Sequence, residues 1–314
     1  MKITLKQPSP VGLLLLSIVS VQFGSALAKS LFSELGPWGV VALRVSFSTL
    51  LLFTLWRLKW NAKIRENLGP IIAFGIVLAA MNSAFYAAID RIPLGIAITL
   101  EFLGPLGLAI LKSQRWLDLV WATLAIAGIL LLAPIGGFEI DLPGMSLALL
   151  AGVCWAGYIL LSVKVGSKLS GIEGLAWALA VSSLLLLPIG IATAGSALLN
   201  PRLLAMGAGV ALLSTALPYS FEMSALRSLP VKVFSIMLSL EPMAGVIAGF
   251  LVLKETLSVR SLLACLLVSV AAAGAARFQA PTSQSPEGQS LEGQSLEGQS
   301  PKARDSTKAR DSTK

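Results

Sequence analysis

The fold of this chain is decided by residues 93–105, which read PLGIAITLEFLGP and return 137 residues later, at 230–242, as PVKVFSIMLSLEP. In each copy a proline opens an apolar run, and a second proline follows twelve positions on. A glutamate lies within the four residues before that second proline, as Glu101 and as Glu241. The repeat therefore places an acid beside a helix-breaking residue in each half of the chain.

The second proline of each copy is expected at mid-membrane. At about 1.5 Å per helical residue it lies roughly 18 Å along its helix, inside an apolar layer about 30 Å thick. Pro105 leaves the carbonyl of Glu101 without a helical donor. Because free carbonyls and carboxylates are tolerated only where they are buried in protein or line a wet cavity, the repeat predicts a functional site. The residues predicted to bend helices are Gly104, Pro105 and Pro242 in the repeat, and Pro218 in the span before its second copy.

The composition predicts an integral membrane protein. Of 314 residues, 55% are hydrophobic and only 13% are charged, against about a quarter in soluble domains. The net charge of +8 does not indicate a nucleic-acid partner, because the basic residues lie in and between the apolar segments, where they set topology. The last 34 residues hold five basic and five acidic side chains and add nothing to that charge.

Apolar stretches of 20 to 24 residues predict an all-α protein with ten membrane spans. The spans are expected at 11–33, 37–57, 68–90, 93–112, 115–135, 142–164, 171–193, 203–226, 230–253 and 257–278. A short segment at 1–10 precedes them. The polar repeats EGQSL and KARDST in the tail at 279–314 predict disorder.

The spans divide into two five-helix repeats, at 11–135 and 142–278. Because five is odd, the second repeat must enter the membrane from the opposite side, which predicts inverted halves with a shared site between them. Thirteen basic residues fall in the loops on the side of the N-terminus and five on the other side, so both termini are expected in the cytoplasm. Ala26-Leu27-Ala28 resembles a signal cleavage site, but the apolar run continues to Phe32, and we interpret it as an uncleaved span.

The polar residues inside the spans are the candidates for binding cargo or protons. Arg44 lies at a depth comparable to that of Glu101, so the two side chains are expected to pair, as part of the site or as a structural ion pair. Lys29 and Glu222 lie near helix ends, where reaching the interface is the simpler interpretation. Asn82, Tyr86 and Tyr219 are expected to bridge helices or to line a cavity.

Several classes of chemistry are excluded. The chain has no histidine, which removes serine–histidine triads and the HExxH zinc site, and it has no GxxxxGK[ST] loop for ATP. No metal, cofactor or catalytic residue is expected, and transport would have to use a gradient. Two alternatives stay open from the residues alone, a broad metabolite or drug exporter and an intramembrane scaffold.

Longer motifs carry a resemblance to a known family. They are SVQFGSALAKSLF at 20–32, GVVALRVSF at 39–47, MNSAFYAAIDRIPLGIAITLEFLGPL at 81–106, STALPYSFEMSALRSLP at 214–230 and LVLKETL at 251–257. Together they resemble the EamA-type branch of the drug/metabolite transporter superfamily. The resemblance implies a ten-helix inverted repeat in the bacterial inner membrane. It also implies export of small neutral amino acids, threonine and homoserine among them, driven by protons.

Overall fold

The structure is a computed structural model that describes residues 9–111, 116–132, 141–169, 171–226, 229 and 231–278. All regular secondary structure in these residues is helical. The tail, for which the sequence predicts disorder, lies outside the described residues.

Seven α-helices form the first half of the described chain. They are α1 (Pro10–Ser30), α2 (Phe32–Trp56), α3 (Ala62–Glu66), α4 (Leu68–Arg91), α5 (Leu94–Glu101), α6 (Leu103–Leu111) and α7 (Leu117–Leu132). Seven more follow, with one 3₁₀ turn and two π-helical turns between them. They are α8 (Leu142–Gly166), α9 (Gly171–Ala194), a 3₁₀ turn (Gly195–Leu199), α10 (Pro201–Ala211), a π turn (Leu212–Ala216), α11 (Leu217–Leu226), α12 (Val231–Leu238), α13 (Glu241–Ala248), a π turn (Gly249–Leu253) and α14 (Val259–Phe278).

Several helices begin at side-chain caps. The hydroxyl of Ser9 accepts a hydrogen bond from the N–H of Gly12, and Asn61, Asp141 and Asn200 cap α3, α8 and α10 in the same way. Proline occupies the first turn of α1, α8 and α10, where its missing N–H costs no helical hydrogen bond. Capping residues and first-turn prolines therefore determine where these helices begin.

Seven segments of the described chain are long and apolar enough to cross a membrane: 10–30, 32–56, 68–91, 142–166, 172–199, 201–222 and 236–253. These agree with seven of the predicted spans to within five residues at each end, except that 236–253 begins six residues later, and 172–199 ends six residues later, than predicted. The segments predicted at 93–112, 115–135 and 257–278 contain shorter apolar helices at 94–108, 119–131 and 259–275. A multi-pass all-α protein is thereby confirmed, while ten spans and inverted halves stay predictions.

The helices pack closely because small residues face each other. A Cβ added to Gly39 on α2 would lie 2.7 Å from the Cβ of Ala194 on α9, and one added to Gly75 on α4 would lie 2.5 Å from the Cβ of Val181. Small side chains let helix backbones approach where lipid supplies no hydrophobic drive between helices. Large apolar side chains such as Leu184 and Val259 point outward, as lipid-facing residues do.

The helices are interrupted at the two proline repeats. In the first copy α5 ends at Glu101 and α6 begins at Leu103, two residues before Pro105. In the second, α12 ends at Leu238 and α13 begins at Glu241, with Pro242 in its first turn. In each copy of the repeat, the segment that contains the second proline is thus divided into two shorter helices.

Three ion pairs within the described residues lie at one face of the helix bundle. Lys29 pairs with Glu255, Arg91 with Asp141, and Arg202 with Glu34. This face holds the end of α1 and the end of α4, and it also holds the beginnings of α2, α8 and α10. It follows that α1 ends, and α8 begins, at the same face.

Candidate functional site

The two repeat glutamates lie at the interruptions. Glu101 is the last residue of α5 and Glu241 is the first residue of α13, and both are partly buried. The two helices pack directly on each other: a Cβ on Gly95 would lie 2.5 Å from Val246 Cγ2, and one on Gly245 would contact Ile98 Cδ1. Glycine therefore brings the acid-bearing segments of the two halves together.

The carbonyl that Pro105 leaves free faces another helix. A Cβ built on Gly152 of α8 would lie 2.5 Å from the carbonyl oxygen of Glu101, and one built on Gly104 would overlap the carbonyl of Gly152. The two glycines allow α8 to cover the interrupted backbone, so that the free carbonyl is buried in protein and not in lipid.

Arg44 on α2 is held by neutral partners. Its Nε donates to Ser214 Oγ over 2.9 Å, and its Nη1 donates to Asn82 Oδ1 over 2.8 Å. Its Cζ lies 5.5 Å from the centre of the Tyr86 ring, in a cation–π arrangement. Both Asn82 and Tyr86 are buried on α4, one turn apart. Asn82 thus bridges α2 and α4.

The expected ion pair between Arg44 and Glu101 is not present. The three ion pairs of the described residues do not include either side chain. The guanidinium makes its hydrogen bonds instead to Ser214 and Asn82, neutral groups that lie closer to two of its nitrogens. The two side chains therefore do not neutralise each other by contact.

Glu222 on α11 extends the acidic group. Its Oε1 accepts a hydrogen bond of 2.7 Å from the hydroxyl of Ser17 on α1. Helix α13, which begins at Glu241, packs against α5, which ends at Glu101, and against α1, which carries Ser17. We call Arg44, Glu101, Glu222 and Glu241 the central charged cluster.

The π turn before α11 is also tied to α1. Pro218 cannot donate to a carbonyl behind it, and the hydroxyl of Ser20 donates to the carbonyl oxygen of Leu213 over 2.6 Å. Pro218 itself is buried, and its carbonyl lies 3.3 Å from Ser17 Oγ. The hydroxyl of Ser20 on α1 thus satisfies a backbone carbonyl in the turn that precedes Pro218.

Lys29 is not part of the central charged cluster. Its Nζ lies 2.6 Å from Glu255 Oε1 and donates to the carbonyl of Ile92 over 3.0 Å. The other oxygen of Glu255 accepts the N–H of Leu94 over 2.9 Å, at the start of α5. The side chain of Tyr219, the remaining predicted site residue, lies outside the described residues.

Sequence reasoning overlooked Gln22 on α1. This side chain is 2% exposed, and its Oε1 has no hydrogen-bond partner among the described residues. A Cβ on Gly245 would lie 3.6 Å from that oxygen. The available signal was a carboxamide in the middle of an apolar span, which costs free energy unless it is hydrogen-bonded.

The described acids do not form a metal site. No three Asp, Glu, Cys or His side chains in the described ranges converge as ligands would. An apolar groove is present between α2 and α10, lined by Phe47, Leu50, Leu51, Thr54, Ala208, Gly209 and Leu212. This lining has no charged group, so we place the candidate site at the cluster and not at the groove.

These features define a multi-pass α-helical membrane protein whose charged residues meet between its helices. Residues 142–277 match the model of the EamA-like transporter family. The threonine/homoserine exporter RhtA of Escherichia coli (strain K12) is 43% identical over 260 residues, which cover 81% of this chain and 87% of the relative. RhtA of Salmonella typhimurium (strain SL1344) is 41% identical over 270 residues, covering 84% of this chain and 90% of the relative.

The chain belongs to the EamA-like transporter family. The fold alone is shared with a solved crystal structure at a TM-score of 0.56 and 18% identity, over 86% of this chain and 98% of that one. The relatives are exporters, which confirms the interpretation of the chain as a transporter and not an enzyme. The family resemblance drawn from the motifs is confirmed as well.

Proposed function

We propose that this protein exports threonine, homoserine and similar small neutral amino acids across the bacterial inner membrane by proton-coupled alternating access. The cargo is supported by the relatives of the chain, which are threonine/homoserine exporters that align over more than four fifths of it. The central charged cluster supplies a chemistry that suits such a cargo. The glutamates of this cluster match the ammonium of a zwitterion, and Arg44 matches its carboxylate.

The observation that carries the proposal is the charge balance of the cluster. It contains three carboxylates and one guanidinium, and that guanidinium makes its short hydrogen bonds to Ser214 and Asn82. Unpaired carboxylates are expensive in an apolar layer, so the cluster requires a bound cation or protons. The ammonium of an amino acid and a proton are both able to meet that requirement, and they compete for the same oxygens.

In our proposal Arg44 binds the carboxylate of the cargo, and Glu101 or Glu241 binds its ammonium. Arg44 is held at a fixed position by α4 and by the π turn, and a guanidinium binds a carboxylate with charge-assisted hydrogen bonds. A proton that enters from outside displaces the ammonium and releases the cargo outward. Loss of that proton to the cytoplasm restores the site.

The movement that we propose is a rocking of one half against the other about the interrupted helices. Transporters built from inverted halves place their site near mid-membrane, on helices that are broken there. The opposite courses of α1 and α8 support inverted halves. With both termini in the cytoplasm, as the loop charges indicate, the face that carries the three ion pairs is the outer one.

The test is efflux from vesicles that contain the purified protein. Vesicles are loaded with labelled threonine or homoserine, and efflux is measured with and without a pH gradient. We expect efflux of both amino acids, and we expect it to be faster when the gradient drives protons into the vesicle as the amino acid leaves it. Efflux of both that does not respond to the gradient would remove proton coupling, and absence of efflux would remove the proposed cargo.

The matched control is the Glu101→Gln, Glu241→Gln double variant, which keeps the shape of the cluster but removes two of its charges. Unrelated metabolites are offered in parallel, so that a broad exporter is distinguished from an amino-acid exporter. Equal efflux of apolar drugs and threonine by the wild type would favour the broad exporter.

A further inference from the structure

We infer that Gln22 recognises the side-chain hydroxyl of the cargo. This inference rests on the proposed function and deepens it. The starting observation is a buried carboxamide whose oxygen has no partner in the described part of the chain. A buried polar group without a partner loses its hydration and gains nothing in return, which calls for a ligand or another explanation.

The position of Gln22 connects it to both repeat glutamates. Its Oε1 lies 3.6 Å from where a Cβ on Gly245 would be, and that same Cβ would contact Ile98. Gly245 follows Glu241 by four residues and Ile98 precedes Glu101 by three, so each lies about one helical turn from its acid. The amide of Gln22 is therefore at the junction of α1, α5 and α13, beside residues that lie about one helical turn from Glu101 and from Glu241.

This separation matches the shape of a hydroxylated amino acid. One helical turn is about 5.4 Å. Three bonds separate the ammonium nitrogen of threonine from its hydroxyl oxygen and four bonds separate those of homoserine, so a hydrogen bond at each end lets either molecule bridge groups this far apart. When the ammonium is at the carboxylates, the hydroxyl reaches the amide. A hydroxyl donates to an amide oxygen and accepts from an amide nitrogen, so either end of the carboxamide recognises it.

Glycine at position 245 lets Ile98 on α5 and the amide of Gln22 on α1 approach α13 closely. A larger residue there would contact Ile98 and approach the amide oxygen of Gln22. The acids provide charge recognition that every amino acid satisfies. Gln22 adds the hydrogen bond that only a cargo with a polar side chain completes.

The test compares cargo that differs by one hydroxyl. Threonine and homoserine are 2-aminobutyrate with a hydroxyl on different carbons, so 2-aminobutyrate is the reference for both. Efflux of all three from vesicles is measured for wild type and for Gln22→Met, which keeps length and volume but has no hydrogen-bonding amide. We expect the ratio of threonine to 2-aminobutyrate efflux to fall about tenfold in Gln22→Met, because a site built to bind a hydroxyl loses that discrimination with its partner.

The ratio is taken within each variant, so a change in protein abundance cancels. Ser182→Ala is the matched control, because it removes another buried oxygen that has no partner among the described residues, on α9. An unchanged ratio in Gln22→Met, with wild-type efflux of threonine, would overturn the role of Gln22. Absence of threonine efflux in the wild type would instead overturn the proposed function.

A different observation carries a second inference, that Lys29 and Glu255 form the outer gate. All three ion pairs of the described residues join a residue before 135 to one after 140. Any separation of the two halves at this face must break them. At the opposite face the halves are joined by a hydrogen bond of 2.8 Å from Asn61 to Glu173.

The pair of Lys29 and Glu255 is the best enclosed of the three. Its side chains are 19% and 16% exposed, whereas those of Arg202 and Glu34 are 68% and 38% exposed. Exposed pairs contribute little because water and salt screen them. The enclosed pair is also held by backbone: Lys29 donates to the carbonyl of Ile92, and Glu255 accepts from the N–H of Leu94.

Local backbone fixes Glu255 in this position. Its N–H donates to the carbonyl of Gly249 over 3.1 Å, and a Cβ on Gly249 would lie 2.6 Å from Glu255 Oε2. Lys254, just before it, has φ of 59°, so the chain turns sharply after the π turn. The turn and the glycine together fold the carboxylate over the start of α5, which in turn leads to Glu101.

A cross-link tests the gate. The substitutions Lys29→Cys and Glu255→Cys are made in a Cys154→Ala, Cys265→Ala background, and a short bifunctional thiol reagent joins the two introduced thiols. We expect efflux to fall at least tenfold after cross-linking, and a single-cysteine variant treated with the same reagent serves as the control. Wild-type efflux from the cross-linked protein would show that the two residues do not separate during transport.

A second experiment tests the gate without the cysteine-free background. The charge exchange Lys29→Glu, Glu255→Lys restores attraction between the side chains, and it should export better than either single change. Neutralising Arg202 and Glu34 together should change efflux less than twofold. A larger loss from the exposed pair than from the enclosed pair would contradict the gate.

Discussion

Arg44 donates from Nη1 to Asn82 Oδ1 over 2.8 Å, so a neutral amide orients the guanidinium and leaves its charge available. Asn82→Leu should therefore weaken both stability and export, because a hydrogen bond to a charged group is worth about 1.5–3 kcal/mol. Asn82→Asp should keep stability but lower export, because a carboxylate at that position cancels the charge. Thermal unfolding of the purified variants, measured beside vesicle efflux, separates the two effects. Normal efflux by Asn82→Asp would show that the charge of Arg44 does not bind cargo.

Glu101→Gln and Glu241→Gln should each flatten the pH dependence of export while the protein still folds. Gln keeps the shape of the side chain but neither binds nor releases a proton in this range. The measurement is efflux across a series of external pH values, normalised to the amount of protein in the membrane. A variant whose pH profile matches that of the wild type would lose its place as a proton carrier.

Arg44→Gln should not rescue Glu101→Gln. The two side chains do not form an ion pair in the structure, so removal of both charges does not restore a balanced contact. We expect the double variant to export no better than Glu101→Gln alone. Full recovery of export with the normal pH profile would mean that Glu101 serves only to neutralise Arg44.

Gly104→Ala should destabilise the protein by about 1–3 kcal/mol, the usual cost of inserting atoms into a packed contact. Its new methyl group would overlap the carbonyl of Gly152. Gly107→Ala on the same helix is the matched control, because a Cβ there meets no atom within 4 Å, and it should be neutral or stabilising. Thermal unfolding in detergent makes the comparison. Equal melting temperatures for the two variants would show that α6 and α8 do not pack this closely.

Pro105→Ala and Pro242→Ala should slow turnover more than they weaken binding. Both prolines lie in the first turn of a short helix that follows an interruption, and restoring the N–H favours a continuous helix. Maximal efflux rate and half-saturating concentration are measured separately. Unchanged maximal rates would mean that the interruptions contribute to architecture alone.

Removal of residues 281–314 should leave export and membrane insertion nearly unchanged. The segment is polar and has equal numbers of acidic and basic side chains, so it has no apolar surface to bury. Efflux and membrane abundance of the truncated chain are compared with those of the full chain. Loss of efflux at normal abundance would assign the tail a role in transport.

The long spans were predictable because span length and apolarity are local properties of sequence. The segments at 11–33, 37–57 and 142–164 were found within a few residues of α1, α2 and α8. Proline indicated where the fourth and ninth apolar stretches would be interrupted, although α5 ends four residues before Pro105. Features that depend only on neighbouring residues of one helix, such as the length of a span and its interruption near proline, could therefore be predicted from the sequence.

The partners of the charged groups were not predictable, because they lie far away in sequence. Depth in the membrane suggested that Arg44 would pair with Glu101, yet its nitrogens are bound by Asn82 on α4 and by Ser214, 170 residues away. Lys29 was interpreted as reaching the membrane interface, but its ammonium pairs with Glu255, 226 residues away. Hydropathy and helical periodicity indicate how deep a charge lies and not which helix lies beside it.

The π turn at 212–216 gives the chain a means of retargeting a side chain without replacing it. A π turn contains one residue more than the α-helix around it, and every following side chain is rotated by about 100°. Glu222, ten residues after the start of that turn, owes its alignment with Ser17 to the extra residue. Deleting a single residue would send the carboxylate to a different neighbour, so an insertion or deletion in this turn, and not only a substitution, would change the surroundings of every side chain that follows on α11.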